Sequence, residues 1–157
     1  MGRRIVTEVG SILGLTLVLA LVGLSIVTGG DAAAPGDIVP NGARFLFGAT
    51  GIAIGLWTLL LIAGSIALRH RPVGVRIGVH LLSAAIAVGA NTGLLALVAG
   101  PAGDGWSDLI IAIALGAGAV LLVAAIVGVL VTELLIVRPR RLERPERGRP
   151  TTGPAAA

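Results

Sequence analysis

Four long runs of uncharged, mostly apolar residues divide the chain. They extend over residues 9–28, 45–68, 81–100 and 109–131. A helix needs about 20 apolar residues to cross about 30 Å of hydrocarbon, and each run reaches that length. Membrane strands would instead show about 10 residues of alternating polarity, which the sequence lacks. The pattern predicts transmembrane helices over about residues 5–28, 45–68, 77–99 and 108–137.

Composition supports a polytopic membrane protein. Apolar residues make up 55% of the 157 positions and charged residues only 13%, which lies outside the usual soluble range. The loops between the runs are too short for a soluble domain. We expect an all-α membrane protein, in which residues 1–137 form one compact four-helix bundle. A cleaved signal peptide is the alternative for the first run, but the run is longer than the usual 7 to 15 apolar residues of a signal.

The distribution of arginine predicts the topology. Eleven of the 12 basic residues lie before the first run, between the second and third runs, or after the fourth. Short arginine-rich loops stay in the cytoplasm, so both termini should be cytoplasmic. The composition, rich in arginine and alanine and without lysine, suggests a bacterial inner membrane. The proposed topology determinants are Arg3, Arg4, Arg69, Arg71, Arg76, Arg138, Arg140 and Arg141.

The basic stretch RHRPVGVRIGVH, residues 69–80, has two interpretations. It could bind a partner or lipid headgroups, or it could act only as a topology determinant. The positive-inside bias alone accounts for its charges, so the second interpretation is favoured.

The last 20 residues, RPRRLERPERGRPTTGPAAA, form an Arg- and Pro-rich segment without apolar periodicity. Such a segment cannot bury enough surface to offset its ordering entropy, so residues 138–157 should be a disordered cytoplasmic tail. Its net positive charge favours contact with anionic lipid headgroups. Nucleic acid is not expected as a partner, because the tail has neither a folded nucleic-acid-binding domain nor aromatic residues that could stack on bases.

Three ionisable residues lie just outside uncharged runs of spanning length: Glu8, His80 and Glu133. All three should therefore sit at nearly the same depth, at the cytoplasmic boundary. They could form a cluster that handles a proton or a cation. The simpler interpretation is favoured, in which they meet headgroups and water separately, because interfacial side chains can snorkel.

The predicted membrane core contains polar but uncharged side chains, which form a candidate intramembrane network: Thr16, Trp57, Thr58 and Asn91. A mid-membrane indole N–H needs an acceptor, so a contact between Trp57 and Asn91 is expected to set helix register.

Pairs of small residues four positions apart predict close helix packing. They are Gly10/Gly14, Gly51/Gly55, Gly74/Gly78, Gly89/Gly93, Ala112/Gly116, Ala114/Gly118 and Ala124/Gly128.

No catalytic, cofactor-binding or metal-binding residues are expected. Cysteine is absent, and the sequence has no zinc motif, phosphate loop or nucleophile elbow. The leading hypothesis is a non-enzymatic accessory or scaffold subunit that packs against a membrane partner or a second copy of itself. One alternative is a small transporter or channel with a polar path near Asn91 and the Glu8, His80 and Glu133 cluster. Another is a membrane-lesion protein, since the chain resembles holins in outline only, by its short crossings and basic tail.

Overall fold

The computed structural model describes residues 2–29, 34–100 and 105–137. Four long helices account for most of them: α1 (Gly2–Val27), α2 (Ile38–Ala67), α3 (Val73–Ala99) and α4 (Trp106–Val131). A 3-10 turn, Pro35–Asp37, precedes α2, and a π-helical turn, Thr132–Val137, continues α4. All four helices are long and apolar enough to cross a membrane, so the chain is a small multi-pass membrane protein. The predicted tail, residues 138–157, lies outside the described residues.

Helices α2 and α3 begin earlier than the uncharged runs that predicted them. Pro72 has an extended backbone, with φ −60° and ψ 152°, and α3 starts directly after it. A proline is tolerated at a helix start, where its missing N–H has no intrahelical acceptor. Helix α3 therefore includes Arg76 and His80 within its first two turns, and α2 likewise includes Arg44 near its start.

Two glycines shape the connection between α3 and α4. Gly100 ends α3 with a φ of 92°, and Gly105 precedes α4 with a φ of 74°. Both values lie in the region that residues with a Cβ rarely adopt, so glycine relieves strain at each position.

The helices form a ring in which each packs on its neighbours in sequence and α1 also packs on α4. Helices α2 and α4 contact each other across one diagonal, whereas α1 and α3 lie on the wider diagonal. The start of α1, the α2–α3 turn and the end of α4 meet at one end of the bundle, which we call the proximal end. The opposite end is the distal end.

The apolar part of the interior forms two clusters stacked along the bundle axis. The cluster nearer the proximal end contains Val9, Ile12, Trp57, Leu61, Ala84, Ala87, Ala125 and Val129. The distal cluster contains Ala20, Leu24, Leu46, Ala53, Val88, Ala117, Leu121 and Ala124. Between them, beside Trp57, lies a small void without room for a water molecule. The middle of the bundle is thus filled by side chains.

Only some of the small-residue pairs lie where helices approach closely. A Cβ added at Gly128 would collide with the Thr16 hydroxyl and lie 3.2 Å from the carbonyl oxygen of Ile12, so α4 approaches the α1 backbone there. A Cβ at Gly118 would lie 2.7 Å from Val88 Cγ1.

The other predicted glycines were wrongly assigned to packing surfaces, since a Cβ at each of them would meet nothing within 4 Å. These are Gly10, Gly14, Gly51, Gly55, Gly74, Gly78, Gly89, Gly93 and Gly116. Gly42, which belongs to none of the pairs, instead makes a close approach: its Cβ would lie 2.9 Å from the Ser25 backbone.

Candidate functional site

Four ionisable side chains converge inside the proximal end of the bundle, and we call them the proximal cluster: Glu8, Arg76, His80 and Glu133. Glu8 lies near the start of α1, Arg76 and His80 lie one turn apart on α3, and Glu133 lies in the π turn after α4. The residues are 6%, 1%, 0% and 0% exposed, respectively. Burial of so many ionisable groups is costly unless they pair with one another.

The guanidinium of Arg76 holds the proximal cluster together. Its Nη2 atom donates hydrogen bonds to Glu8 Oε1 and to Glu133 Oε1, the latter at 2.7 Å. Ser65 on α2 adds a hydrogen bond from its hydroxyl to Glu8 Oε1 at 3.2 Å. All four segments of the bundle therefore contribute to one polar network. The long Arg76 side chain also spans the wider diagonal between α3 and α1.

His80 is placed against both carboxylates without a hydrogen bond to either. Its Nε2 atom lies 3.9 Å from Glu8 Oε1 and 3.9 Å from Glu133 Oε1. Neither ring nitrogen has a hydrogen-bond partner among the described residues. Gly64 leaves room for the ring, because a Cβ there would lie 3.4 Å from His80 Cε1. The imidazole thus faces two acidic groups from a buried position.

The ligand-type atoms of Glu8, His80 and Glu133 lie within 4.8 Å of one another, a spacing that a metal ion could bridge. However, the Arg76 guanidinium already lies between the two carboxylate oxygens. A cation supplied by the chain therefore occupies the position that a metal would take, and the geometry fits an ionic cluster centred on Arg76 better than a metal centre.

The structure corrects two expectations from the sequence. Glu8, His80 and Glu133 do not meet headgroups and water separately; they are buried and face one another. Arg76 does not lie in a loop, as the sequence predicted; it belongs to α3 and is buried against two glutamates. The physical reason is the same for both: the guanidinium provides the counter-charge that makes burial of the carboxylates tolerable.

The remaining predicted topology residues divide into two groups. Arg69 and Arg71 are exposed in the α2–α3 turn. Arg138, Arg140 and Arg141, and the side chains of Arg3 and Arg4, lie outside what the structure describes.

The role of Arg76 was missed although the sequence contained a signal for it. Arg76 and His80 are four residues apart, and the buried positions of α3 continue from them with helical spacing to Asn91. Residues at such spacing share one face of a helix. Extending the predicted α3 back to Pro72 would have placed Arg76 on the buried face. Ser65 likewise continues the buried face of α2, four residues after Leu61.

The candidate intramembrane residues do not form one network. The Trp57 indole N–H donates to the backbone carbonyl of His80 at 3.3 Å, and the Asn91 amide donates to the carbonyl of Ala49 at 2.8 Å. The expected contact between Trp57 and Asn91 is replaced by these two separate links between α2 and α3. The two links are far apart along the bundle. His80 and Asn91, their residues on α3, are separated by about 16 Å along the helix at 1.5 Å per residue.

The two threonines of this set do not join Trp57 to Asn91. Thr58 donates its hydroxyl to the carbonyl of Ile54 at 2.7 Å within α2. Thr16 is fully buried beside Gly128, where its side chain packs against α4. Neither hydroxyl contributes to a continuous polar path through the bundle.

Comparison of the chain with protein-family models, with curated proteins and with solved structures finds no match.

Proposed function

We propose that this protein is a non-enzymatic accessory or scaffold subunit of a bacterial inner membrane, with both termini in the cytoplasm. The observation that carries the proposal is the filled interior of the bundle. Two apolar clusters separate the proximal cluster from the distal end, and the void between them cannot hold a water molecule. A protein that conducts ions or solutes needs a polar or wet path instead.

The polar groups inside the bundle also favour a structural role. Arg76 pairs with Glu8 and Glu133, and Trp57 and Asn91 each donate to a carbonyl on a neighbouring helix. Each of these contacts fixes one helix against another. Such a bundle presents a rigid outer surface to lipid and to a membrane partner, and the Arg-rich tail is proposed to contact anionic headgroups.

The experiment that tests this role has two parts. First, the protein reconstituted alone into liposomes should give no proton- or cation-driven flux above that of protein-free vesicles. Second, mild-detergent purification from the native host should recover a membrane protein in fixed stoichiometry with this chain.

Each part can contradict the proposal separately. Robust flux that disappears in the Glu133→Gln variant would replace the scaffold role with transport through the proximal cluster. Recovery of the chain as a monomer without a stoichiometric partner, after gentle extraction in several detergents, would contradict the subunit role.

A further inference from the structure

A groove opens at the distal end of the bundle, where α2 begins, α3 ends and α4 begins. Its volume is about 300 Å³, which is at the lower end of the range of ligand pockets. Its lining includes Arg44, Gly48 and Ala49 from α2, Leu95 from α3, and Ile110 and Ile113 from α4. Arg44 is the one charged residue in this lining among the residues that the structure describes, and we call the site the Arg44 groove.

The walls of the Arg44 groove are held in place by a polar contact. The Asn91 amide donates to the carbonyl of Ala49 at 2.8 Å, which fixes α3 against α2 beside the groove. Leu95 follows Asn91 by four residues, so it lies one turn further along the same face of α3. Gly48 leaves space in the groove, because a Cβ there would meet nothing within 4 Å. An occupant can therefore enter without moving the helices apart.

Arg44 lies at the depth where phospholipid phosphates lie. The uncharged run of α2 starts directly after it, at Phe45, and continues to Leu68. This run is about 36 Å long at 1.5 Å per residue, enough to cross about 30 Å of hydrocarbon. Arg44 is exposed, and long side chains on a helix point toward its N-terminus. The N-terminus of α2 is at the distal end, so the guanidinium is directed toward the headgroup layer.

A guanidinium matches a phosphate in charge and in shape. Its planar fork donates two parallel hydrogen bonds to phosphate oxygens. It has five N–H donors, so it can hold a phosphate and a carboxylate at the same time. Asp37 and Asp108 are exposed at this end, and Asp31 and Asp104 of the adjoining loops lie outside the described residues. Carboxylates beside Arg44 suit the ammonium group of a zwitterionic headgroup.

We propose that the Arg44 groove binds one phospholipid of the leaflet at the distal end, with its phosphate on the Arg44 guanidinium and one acyl chain between α2, α3 and α4. The lining beyond Arg44, including Ala49, Leu95 and Ile113, is apolar and buries such a chain. Two other grooves, between α1 and α2 and between α1 and α4, are lined by uncharged residues. They have apolar walls for a chain but no group for the phosphate. The lipid site goes beyond the scaffold role and does not depend on it.

The test compares two lipid probes that differ only in the phosphate-bearing headgroup. The full chain is placed in phosphatidylcholine nanodiscs that contain a trace of phosphatidylethanolamine or of diacylglycerol, each with the same photoreactive diazirine on one acyl chain. After illumination, mass spectrometry maps the adducts to residues 44–49 and 110–114 of the Arg44 groove. Adducts at residues 21–26 of the α1–α2 groove, which lies at the same end of the bundle, give the unselective background.

Relative to that background, we expect phosphatidylethanolamine to label the Arg44 groove about fivefold more than diacylglycerol does, the factor that an exposed charge pair supplies. In the Arg44→Gln variant this excess should disappear. Gly48→Leu should also remove it, because the new side chain fills the groove. The matched control is Gly14→Leu on α1, where a Cβ likewise meets nothing within 4 Å, and the excess should stay unchanged.

The wild-type measurement decides without any variant. Equal labelling of the Arg44 groove by the two probes would show that the phosphate is not recognised. Absence of adducts from both probes would show that protein, not lipid, covers the groove. Loss of the excess on addition of inorganic phosphate would show a site for a free anion and contradict the lipid site. Partner recovery and flux are separate measurements, so failure here leaves the scaffold proposal intact.

Discussion

Arg76 and Glu133 form a buried ion pair, 2.7 Å from Nη2 to Oε1, that joins the start of α3 to the turn after α4. The same nitrogen also binds Glu8 on α1. One side chain thus ties together three of the four helical segments, and its removal should have effects beyond the loss of a single contact.

Replacing Arg76 with Gln should destabilise the bundle by about 3 to 5 kcal/mol, because it removes the guanidinium that two buried carboxylates bind. The measurement is reversible unfolding in mixed micelles followed by helix content. Arg71→Gln is the matched control: Arg71 is exposed in the adjacent turn, so its loss should change stability by less than about 0.5 kcal/mol. Equal effects of the two substitutions would contradict the central position of Arg76.

The contact between α4 and α1 should be sensitive to a single methyl group. Gly128→Ala would force a Cβ against Thr16 and the Ile12 carbonyl, and overpacking of this kind typically costs about 1 to 3 kcal/mol. Gly116→Ala on the same helix should cause no loss, since a Cβ there meets nothing within 4 Å. The two variants are compared by the same unfolding measurement, and a tolerated Gly128→Ala would rule out the close approach.

Asn91 should contribute little to stability despite its buried position. Asn91→Leu removes the hydrogen bond to the Ala49 carbonyl, and interhelical hydrogen bonds in membranes average about 0.6 kcal/mol. The Thr92→Val variant serves as a control for changing a neighbouring polar side chain. A destabilisation of several kcal/mol by Asn91→Leu would indicate a role beyond this single bond.

The proposed topology can be tested with single cysteines, because the chain contains none of its own. Gly36 before α2 and Gly74 in the first turn of α3 are both exposed. A cysteine at position 36 should react with an impermeant maleimide on intact cells, whereas one at position 74 should react only after the membrane is permeabilised. The opposite labelling pattern would reverse the orientation.

The helical architecture followed from the sequence because hydrocarbon imposes one dominant requirement. A long apolar run in a bilayer must satisfy its backbone internally, so run length alone predicts a helix. That criterion uses charge as a boundary marker, and it therefore began the predicted α3 at residue 77, one position after Arg76. The same choice assigned Arg76 to a loop and separated it from the glutamates that it binds.

Helix rotation and register were harder to predict, as Trp57 and the glycines illustrate. The Trp57 indole binds the carbonyl of His80 and not Asn91 because the antiparallel register of α2 and α3 places Asn91 opposite Ala49. Gly128 and Gly10 both belong to small-residue pairs, yet only Gly128 faces a neighbouring helix closely. The four-residue spacing of small side chains is a property of one helix alone. Which face of that helix points into the bundle depends on all of the helices that pack around it.

The order in which the proximal cluster is completed follows the order of synthesis. Glu8 belongs to α1, the first helix to leave the ribosome, and Arg76 belongs to α3, the third. Together their side chains form a neutral pair. Glu133 belongs to the last segment, so the network gains its second carboxylate only when α4 has been inserted. A nascent chain of three helices therefore already holds the pair between Arg76 and Glu8, and insertion of α4 adds the contact that ties the end of the bundle closed.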